Sequence, residues 1–222
     1  DTDVLIIGAG PAGIVCALTA RWNYPDKKIL VMRDVEKGVI PCGIPYMFAS
    51  LQKPEQNAMS YASLEQNEIE LVVDQAVKID RKNKVVYTKK GDEYHYEKLV
   101  LAIGSRPVVP PIRGLEGKDG IYVIKKDLDY LVELVNRVKR CKKVVIVGGG
   151  FIGVEVADEL SKLQGMEVAI IEMLPNLLPL SFDPEFCKLA EDKLRAQGVK
   201  IFTGTKVEEI LGEDRVKGEV GE

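Results

Sequence analysis

The sequence predicts an α/β fold of two Rossmann-like domains, and three observations support that prediction. An apolar run of strand length, Val4-Leu-Ile-Ile7, leads directly into the glycine-rich turn Gly8-Ala-Gly-Pro-Ala-Gly13. The same arrangement returns about 140 residues later as Val144-Val-Ile-Val147 followed by Gly148-Gly-Gly-Phe-Ile-Gly153. Each turn is followed by a small-residue stretch of helical character and then by a second apolar strand. Strand, glycine turn, helix and second strand make a βαβ unit, and two such openings far apart make two domains.

Taken in order, Asp3–Ile7 is the first strand, Ile14–Ala20 lies in the helix after it, and Lys28–Met32 is the second strand. The segment Gly43-Ile-Pro-Tyr-Met-Phe-Ala-Ser50 is expected to open a helix, with Pro45 tolerated in the first turn. Ile69–Val73, Ala76–Asp80, Val85–Lys89 and Tyr94–Leu101 read as strands of a β-rich region, with Lys90-Gly-Asp92 turning its last hairpin. The stretch Ser105-Arg-Pro-Val-Val-Pro-Pro-Ile-Arg113 holds too much proline for a helix or a central strand. A boundary is therefore placed near residue 110, dividing a first domain over 1–110 from a second over 111–222.

In the second domain, Asp127 is expected to cap a helix whose apolar face is Leu128, Leu131, Leu134, Val135 and Val138. Val154–Leu163 follows the second glycine turn as a helix and Glu167–Ile171 is the strand after it. Asp183 with Pro184 opens a further helix that Gly198 stops. Val199–Thr203 is a third strand, and Gly212–Glu222 looks like the start of a surface hairpin that is not completed.

Composition narrows the function. The 222 residues carry 31 basic and 34 acidic side chains, a net charge of -3, which offers no basic excess for nucleic acid or an anionic membrane. No apolar stretch is long enough to span a bilayer, and the N-terminus has no secretory pattern. The four cysteines, Cys16, Cys42, Cys141 and Cys187, form no CxxC or CxxxxC pair. So few thiols, with no export signal, suggest a reduced, cytoplasmic chain. With His95 as the one histidine, no metal site is expected, and His95 itself reads as a structural residue of a hairpin strand. Cys16 reads as packing, Cys141 as exposed and incidental, and Cys187 as lacking a partner.

Both glycine turns fit G-x-G-x-x-G in the required strand-to-helix context. The first glycine makes the tight turn, the second admits a pyrophosphate to the backbone, and the third lets helix and strand pack closely. The phosphate then sits on free N–H groups at the helix N-terminus. Gly8, Gly10, Pro11, Ala12 and Gly13 form the first candidate site, and Gly148, Gly150, Phe151, Ile152 and Gly153 the second. About twenty residues on, the second site reaches Glu172, whose carboxylate accepts from a ribose 2′-OH and repels a 2′-phosphate, so it favours NAD over NADP. The first site reaches Arg33 and Asp34 instead. Either Asp34 takes the ribose, or Arg33 packs against adenine or phosphate.

These residues resemble the pyridine nucleotide-disulfide oxidoreductases. Pro41-Cys-Gly-Ile-Pro-Tyr46 is similar to the active-site signature of the single-cysteine branch, the NADH oxidases, NADH peroxidases and coenzyme A-disulfide reductases. Lys98-Leu-Val-Leu-Ala-Ile-Gly-Ser-Arg-Pro107 resembles the strand and turn that close the flavin region, and Glu172-Met-Leu-Pro-Asn-Leu-Leu-Pro179 the loop after the NAD ribose carboxylate.

The resemblance implies three-layer ββα FAD/NAD(P)-binding domains, with FAD on the first loop and NADH on the second. It implies hydride transfer from NADH to FAD and onward to Cys42 or to an acceptor such as oxygen, a disulfide or polysulfide. Val77 would face the flavin adenine through its backbone, with Ala102 and Gly104 against the same nucleotide. Phe151 would be an aromatic gate over the flavin, and Glu155 would lie near the nicotinamide carboxamide. Pro11 stands where the peroxidases carry histidine, and Gly38-Val-Ile-Pro41 where coenzyme A-disulfide reductases present serine and asparagine, which weakens both of those reactions. Family members carry roughly twice as many residues, so the domain set is expected to be incomplete at the C-terminus, FAD to be weakly held or absent, and the full-length protein to be a homodimer.

Cys42 also stands on its own chemistry as the catalytic residue. A thiol at a helix N-terminus holds more thiolate at neutral pH, and without a CxxxxC partner it would cycle as a sulfenic acid or a mixed disulfide. Two rival readings are an electron-transfer reductase for a rubredoxin or ferredoxin, with Cys42 idle, and a nucleotide-binding fragment that transfers nothing.

Overall fold

The computed structural model describes residues 1–216 and 218–221. The chain forms two compact units, one of Asp1–Pro41, Asn57–Arg106 and Lys126–Asp129, the other of Cys42–Gln56, Pro107–Lys125 and Tyr130–Glu222.

The first unit opens with β1 (Thr2–Ile7), α1 (Pro11–Asn23) and β2 (Ile29–Arg33), then α2 (Ala62–Gln66), β3 (Glu70–Val73), β4 (Ala76–Asp80), β5 (Val85–Thr88) and β6 (Glu93–Leu101). The strand order is β3-β2-β1-β6-β5-β4. β1 pairs in parallel with β2, Val4 opposite Ile29, and with β6, Val4 opposite Lys98. The front of β6 instead pairs antiparallel with β5, Val85 opposite His95. One nine-residue strand thus serves a parallel sheet and an antiparallel meander.

Side-chain alternation along the central strands sorts the core into two layers. Ile6, Ile29 and Val31 pack with Ala9, Ala17 and Leu64 on the α1 side. Leu5, Ile7, Leu30 and Met32 pack with Val86 and Tyr96 on the meander side. Leu5, Ile6, Val31 and Met32 are fully buried, each worth roughly 2 kcal/mol in apolar transfer. Helix, parallel sheet and meander are the three ββα layers that the family resemblance implied.

The second unit contains α3 (Leu128–Val138), β7 (Lys143–Val147), α4 (Phe151–Ser161), β8 (Glu167–Ile171), α5 (Pro184–Ala196), β9 (Lys200–Phe202), β10 (Val207–Leu211) and β11 (Gly218–Gly221). β7, β8 and β9 form a parallel sheet in that order. The five apolar positions expected on α3 are all buried, and the helix begins directly after Asp127. The hairpin that the sequence left uncompleted is present as β10 paired antiparallel with β11, although Lys217 and Glu222 lie outside the described residues. Ile171, Val207 and Ile210 form a small core with Ile112, Leu115, Ile121 and Val216.

One expectation needs correction. Gly43–Ser50 does not open an α-helix. It makes single 3₁₀ turns, Pro41–Gly43 and Pro45–Met47, because Pro45 has no N–H to give to the Pro41 carbonyl. The following bonds reach back only three residues, from Met47 N to Ile44 O at 3.2 Å and from Phe48 N to Pro45 O at 3.1 Å. Asp183 and Pro184 open α5 as expected, with the Asp183 carbonyl accepting the Phe186 and Cys187 amides and its carboxylate making no capping bond. Among the described residues no helix is long and apolar enough to cross a membrane.

Candidate nucleotide sites and the Cys42 turn

Gly8 has φ +112°, open to glycine and strained for other residues. A Cβ on Gly8 would stand 2.1 Å from the Ala102 carbonyl oxygen, and one on Gly13 would stand 1.8 Å from the Gly8 carbonyl oxygen. Gly13 is therefore what lets α1 lie against the turn. A Cβ on Gly10 would meet nothing within 4 Å. Gly10 is the residue that precedes α1, and Pro11 holds the first position of the helix. Pro11 and Ala12 are exposed there.

The second loop repeats this geometry. Gly148 has φ +110°, a Cβ on Gly153 would stand 2.0 Å from the Gly148 carbonyl oxygen, and one on Gly150 would meet nothing within 4 Å. Gly150 precedes α4 without a side-chain cap. Each loop thus combines a packed third glycine with an open second glycine at a helix N-terminus, and the residues present fit a dinucleotide pyrophosphate at both.

At the end of β2, the Arg33 guanidinium lies 4.0 Å from the Tyr61 ring centroid. Its Nε and Nη1 atoms are buried with no hydrogen-bond partner. Two donors left unsatisfied at the C-terminal edge of a parallel sheet suit an anionic or ribose-bearing ligand. Asp34, beside it, is exposed. Ala102 donates its amide to the Ile7 carbonyl at 2.8 Å, so the turn after β6 closes against the first glycine loop. Gly104 follows at φ +67°. Val77 is 58% exposed and sits at the register shift between Ala76 and Lys78, out of the regular ladder with β5. Ala76 and Lys78 on either side keep partners in β5, Thr88 and Tyr87.

Glu172 is 8% exposed. Its Oε2 accepts the Gly149 amide at 2.6 Å and its Oε1 the Leu174 amide at 2.8 Å. Leu177 is fully buried against Gly149, and Leu178, at φ +57°, donates its amide to the Gly149 carbonyl at 2.9 Å. Buried Glu191 on α5 accepts the Leu177 amide at 3.0 Å. Phe151 rests edge-to-face on Phe182, centroids 5.9 Å apart. Ile152 and Glu155 are exposed on the first turns of α4.

Cys42 is a free, exposed thiol inside the Pro41–Gly43 turn. The helix expected to follow it is missing, so the electrostatic support expected from one is missing too. The segment behind it is well anchored, with Ile44, Met47 and Phe48 buried. Cys16 is half-buried against the α1-side core, Cys141 is exposed, and Cys187 is buried, its thiol donating to the Phe182 carbonyl. His95 is exposed in β6. No cluster of His, Cys, Asp and Glu suited to a metal occurs among the described residues.

Sequence reasoning missed Tyr61, Glu159, Leu177 and Glu191. Tyr61 becomes a partner of Arg33 only through tertiary packing. Glu159 and Glu191 lie mid-helix among other acidic residues and look like solvated positions, although Lys162 and Arg195 one turn on were a visible hint of pairing.

Residues 2–222 match the family described as Pyridine nucleotide-disulphide oxidoreductase. The chain belongs to that family. It is 32% identical over 224 aligned positions to an NADH oxidase of Methanocaldococcus jannaschii, covering 96% of this chain and 49% of that protein. It resembles the solved structure of a ferredoxin reductase from Rhodopseudomonas palustris with a TM-score of 0.90 and 28% identity, over 100% of this chain and 55% of that one. A NAD-dependent persulfide reductase from A. fulgidus matches with a TM-score of 0.84 and 32% identity, over 96% of this chain and 41% of that one. The chain spans about half the length of the NADH oxidase it matches.

Proposed function

We propose that this chain carries the nucleotide-binding modules and the redox thiol of an NADH-dependent flavoprotein oxidoreductase. The observation that carries the reading is the pair of matched loops, each with its second glycine open and its third packed on the first. Gly8, Gly10, Pro11, Ala12 and Gly13 bind the FAD pyrophosphate, with Arg33 and Asp34 at its adenosine end and Val77, Ala102 and Gly104 lining the nucleotide. Gly148, Gly150, Phe151, Ile152 and Gly153 bind NADH, with Glu155 toward the nicotinamide. The flavin, when bound, supplies the chemistry of accepting a hydride and returning two electrons to an acceptor.

The chain's own residues orient the nucleotides and hold charge. Glu172, fixed by two backbone amides, keeps lone pairs for the ribose hydroxyls and a negative charge against a 2′-phosphate, which makes NADH the preferred donor. Cys42 as thiolate attacks one sulfur of a small disulfide or polysulfide, the S–S bond breaks, and the second sulfur leaves as a thiolate. A small-molecule acceptor, a cytoplasmic location and a homodimeric longer protein belong to the same reading.

Anaerobic mixing of the flavin-loaded protein with NADH tests it. Loss of the flavin band near about 450 nm is expected, faster with NADH than with NADPH, and a band that persists overturns the proposal. The likeness to a ferredoxin reductase favours a second reading, in which a small electron-carrier protein is the acceptor and Cys42 is idle. Cys42→Ser separates the two, since turnover unchanged by it selects the carrier.

A further inference from the structure

Glu159 is 1% exposed in the middle of α4, and neither nucleotide loop uses it. A buried carboxylate is tolerated only when its charge is answered by bonds. Here Oε2 accepts the Ser50 amide at 2.8 Å, Oε1 accepts the Ser50 hydroxyl at 2.8 Å, and Lys162 closes an ion pair from the next turn. Ser50 ends the Cys42 segment, 109 residues away in sequence. Pro45 and Tyr46 of that segment line a cleft with Val154, Glu155, Asp158 and Glu159 of α4. One helix therefore begins at the second glycine loop and, two turns on, grips the segment that carries the thiol.

We propose that Glu159 is a positioning residue, which through Ser50 fixes the Cys42 segment onto the helix whose N-terminus binds the nicotinamide dinucleotide. The inference rests on the reading of Cys42 as the redox thiol and of the second loop as the NADH site. Glu159 touches neither substrate nor cofactor. It acts by preserving the register between the thiol segment and α4, a geometry that redox turnover depends on and that nucleotide affinity does not.

Hydrogen exchange by mass spectrometry reads the clamp directly. In Glu159→Gln the peptide spanning residues 42–52 exchanges about tenfold faster, while peptides of α4 and the β7–β9 sheet stay within about twofold. Ser50→Ala, a change at an exposed residue that leaves the backbone bond in place, gives a smaller acceleration, and Ser50→Thr, which keeps the hydroxyl, restores parental exchange. In the flavin-loaded protein, Glu159→Gln lowers kcat for NADH oxidation about tenfold with KM for NADH within about twofold.

Unchanged exchange in both Glu159→Gln and Ser50→Ala overturns the clamp. Faster exchange with unchanged kcat, or a raised KM with unchanged kcat, overturns the positioning role. Failure of the underlying reading looks different. Cys42→Ser that leaves turnover intact removes the redox role of the thiol, while the exchange data still decide whether Glu159 holds the segment.

Discussion

Glu172 binds Gly149 as a carboxylate to a backbone amide, Oε2 to N at 2.6 Å, and so ties the side chain proposed to read the ribose to the middle of the second glycine loop. The carboxylate at the end of β8 and the glycine loop before α4 are thus bonded to each other. The loop beyond closes it further, with Leu177 against Gly149 and Glu191 under the Leu177 amide.

Glu172→Ala should therefore weaken two things together. The Gly149 and Leu174 amides lose their acceptors, costing about 1–3 kcal/mol each where buried, and NADH affinity falls at least about tenfold with the lost ribose bonds. NADPH affinity should hold or rise, because the charge opposing its phosphate is gone. Fluorescence titration of both nucleotides, alongside thermal melts, checks this. An equal loss for both would remove Glu172 from the specificity argument.

Gly10→Ala and Gly13→Ala should fail differently. The Gly10 methyl meets no protein atom within 4 Å and the position has φ -78°, so the fold should change by less than about 1 kcal/mol while flavin binding falls sharply. The Gly13 methyl would lie 1.8 Å from the Gly8 carbonyl oxygen and must push α1 off the turn, so the protein should lose several kcal/mol or fail to fold. Melting temperature and flavin retention, measured on both variants, distinguish a ligand-facing glycine from a packing one. Equal melting temperatures would contradict the geometry.

Arg33→Met should cost the fold little, since the Nε and Nη1 donors satisfy no protein acceptor and the chief loss is the stacking on Tyr61. Flavin affinity should fall about tenfold, the size expected for one charge-assisted hydrogen bond. Equilibrium titration of the apoprotein with FAD and with FMN, which lacks the adenosine end, locates the contact. The loss should appear for FAD alone.

Acid should loosen the Glu159 cluster. Burial pushes the Glu159 carboxyl up, and the bonds from Lys162 and Ser50 outweigh it, leaving its pKa below the ordinary value of 4.5. Asp158 is likewise raised by burial and lowered further by Gln197 and Lys162, to a net value below 3.8. A carboxylate with a depressed folded pKa contributes stability that is present above its unfolded pKa and is lost as pH falls through the folded value. The Lys162 pKa is raised, chiefly by Glu159, so its contribution is complete at neutral pH and disappears only in strong base. The melting-temperature gap between the parent protein and Glu159→Gln should be widest near neutral pH and should close as the pH falls below the ordinary carboxylate range. A gap independent of pH would show that the charge of Glu159 does not matter.

The parts of the fold that were legible in sequence share a physical property, local pattern. Val4–Ile7 and Val144–Val147 are apolar enough to be buried parallel strands, the glycine spacing fixes each turn, and the face of α3 follows helical periodicity. The segment after Cys42 was misread because a proline near a helix start is usually benign. Here Pro41 and Pro45 stand one α-turn apart, which deletes the one bond that an α-turn needs. The geometry of the candidate site was legible where residue type at fixed spacing sets it, as for Gly8, Gly13, Gly148, Gly153 and Glu172. It was illegible where meaning comes from a distant contact. Nothing near Tyr61 in the sequence points to Arg33, and nothing near Glu159 points to Ser50.

The bond from Ser50 to Glu159 also sets an order of assembly. Residues Cys42–Gln56 are flanked on both sides by chain of the first unit yet belong to the second. During synthesis they emerge well before α4, and at about 5–20 residues per second the 109-residue gap lasts about 5–20 s. For that interval Met47 and Phe48, buried in the finished fold, have no second unit to enter. A nascent chain arrested before Ser161 should therefore present this thiol-bearing loop to proteases and holding chaperones, and completing the loop's dock marks the moment at which the second unit closes.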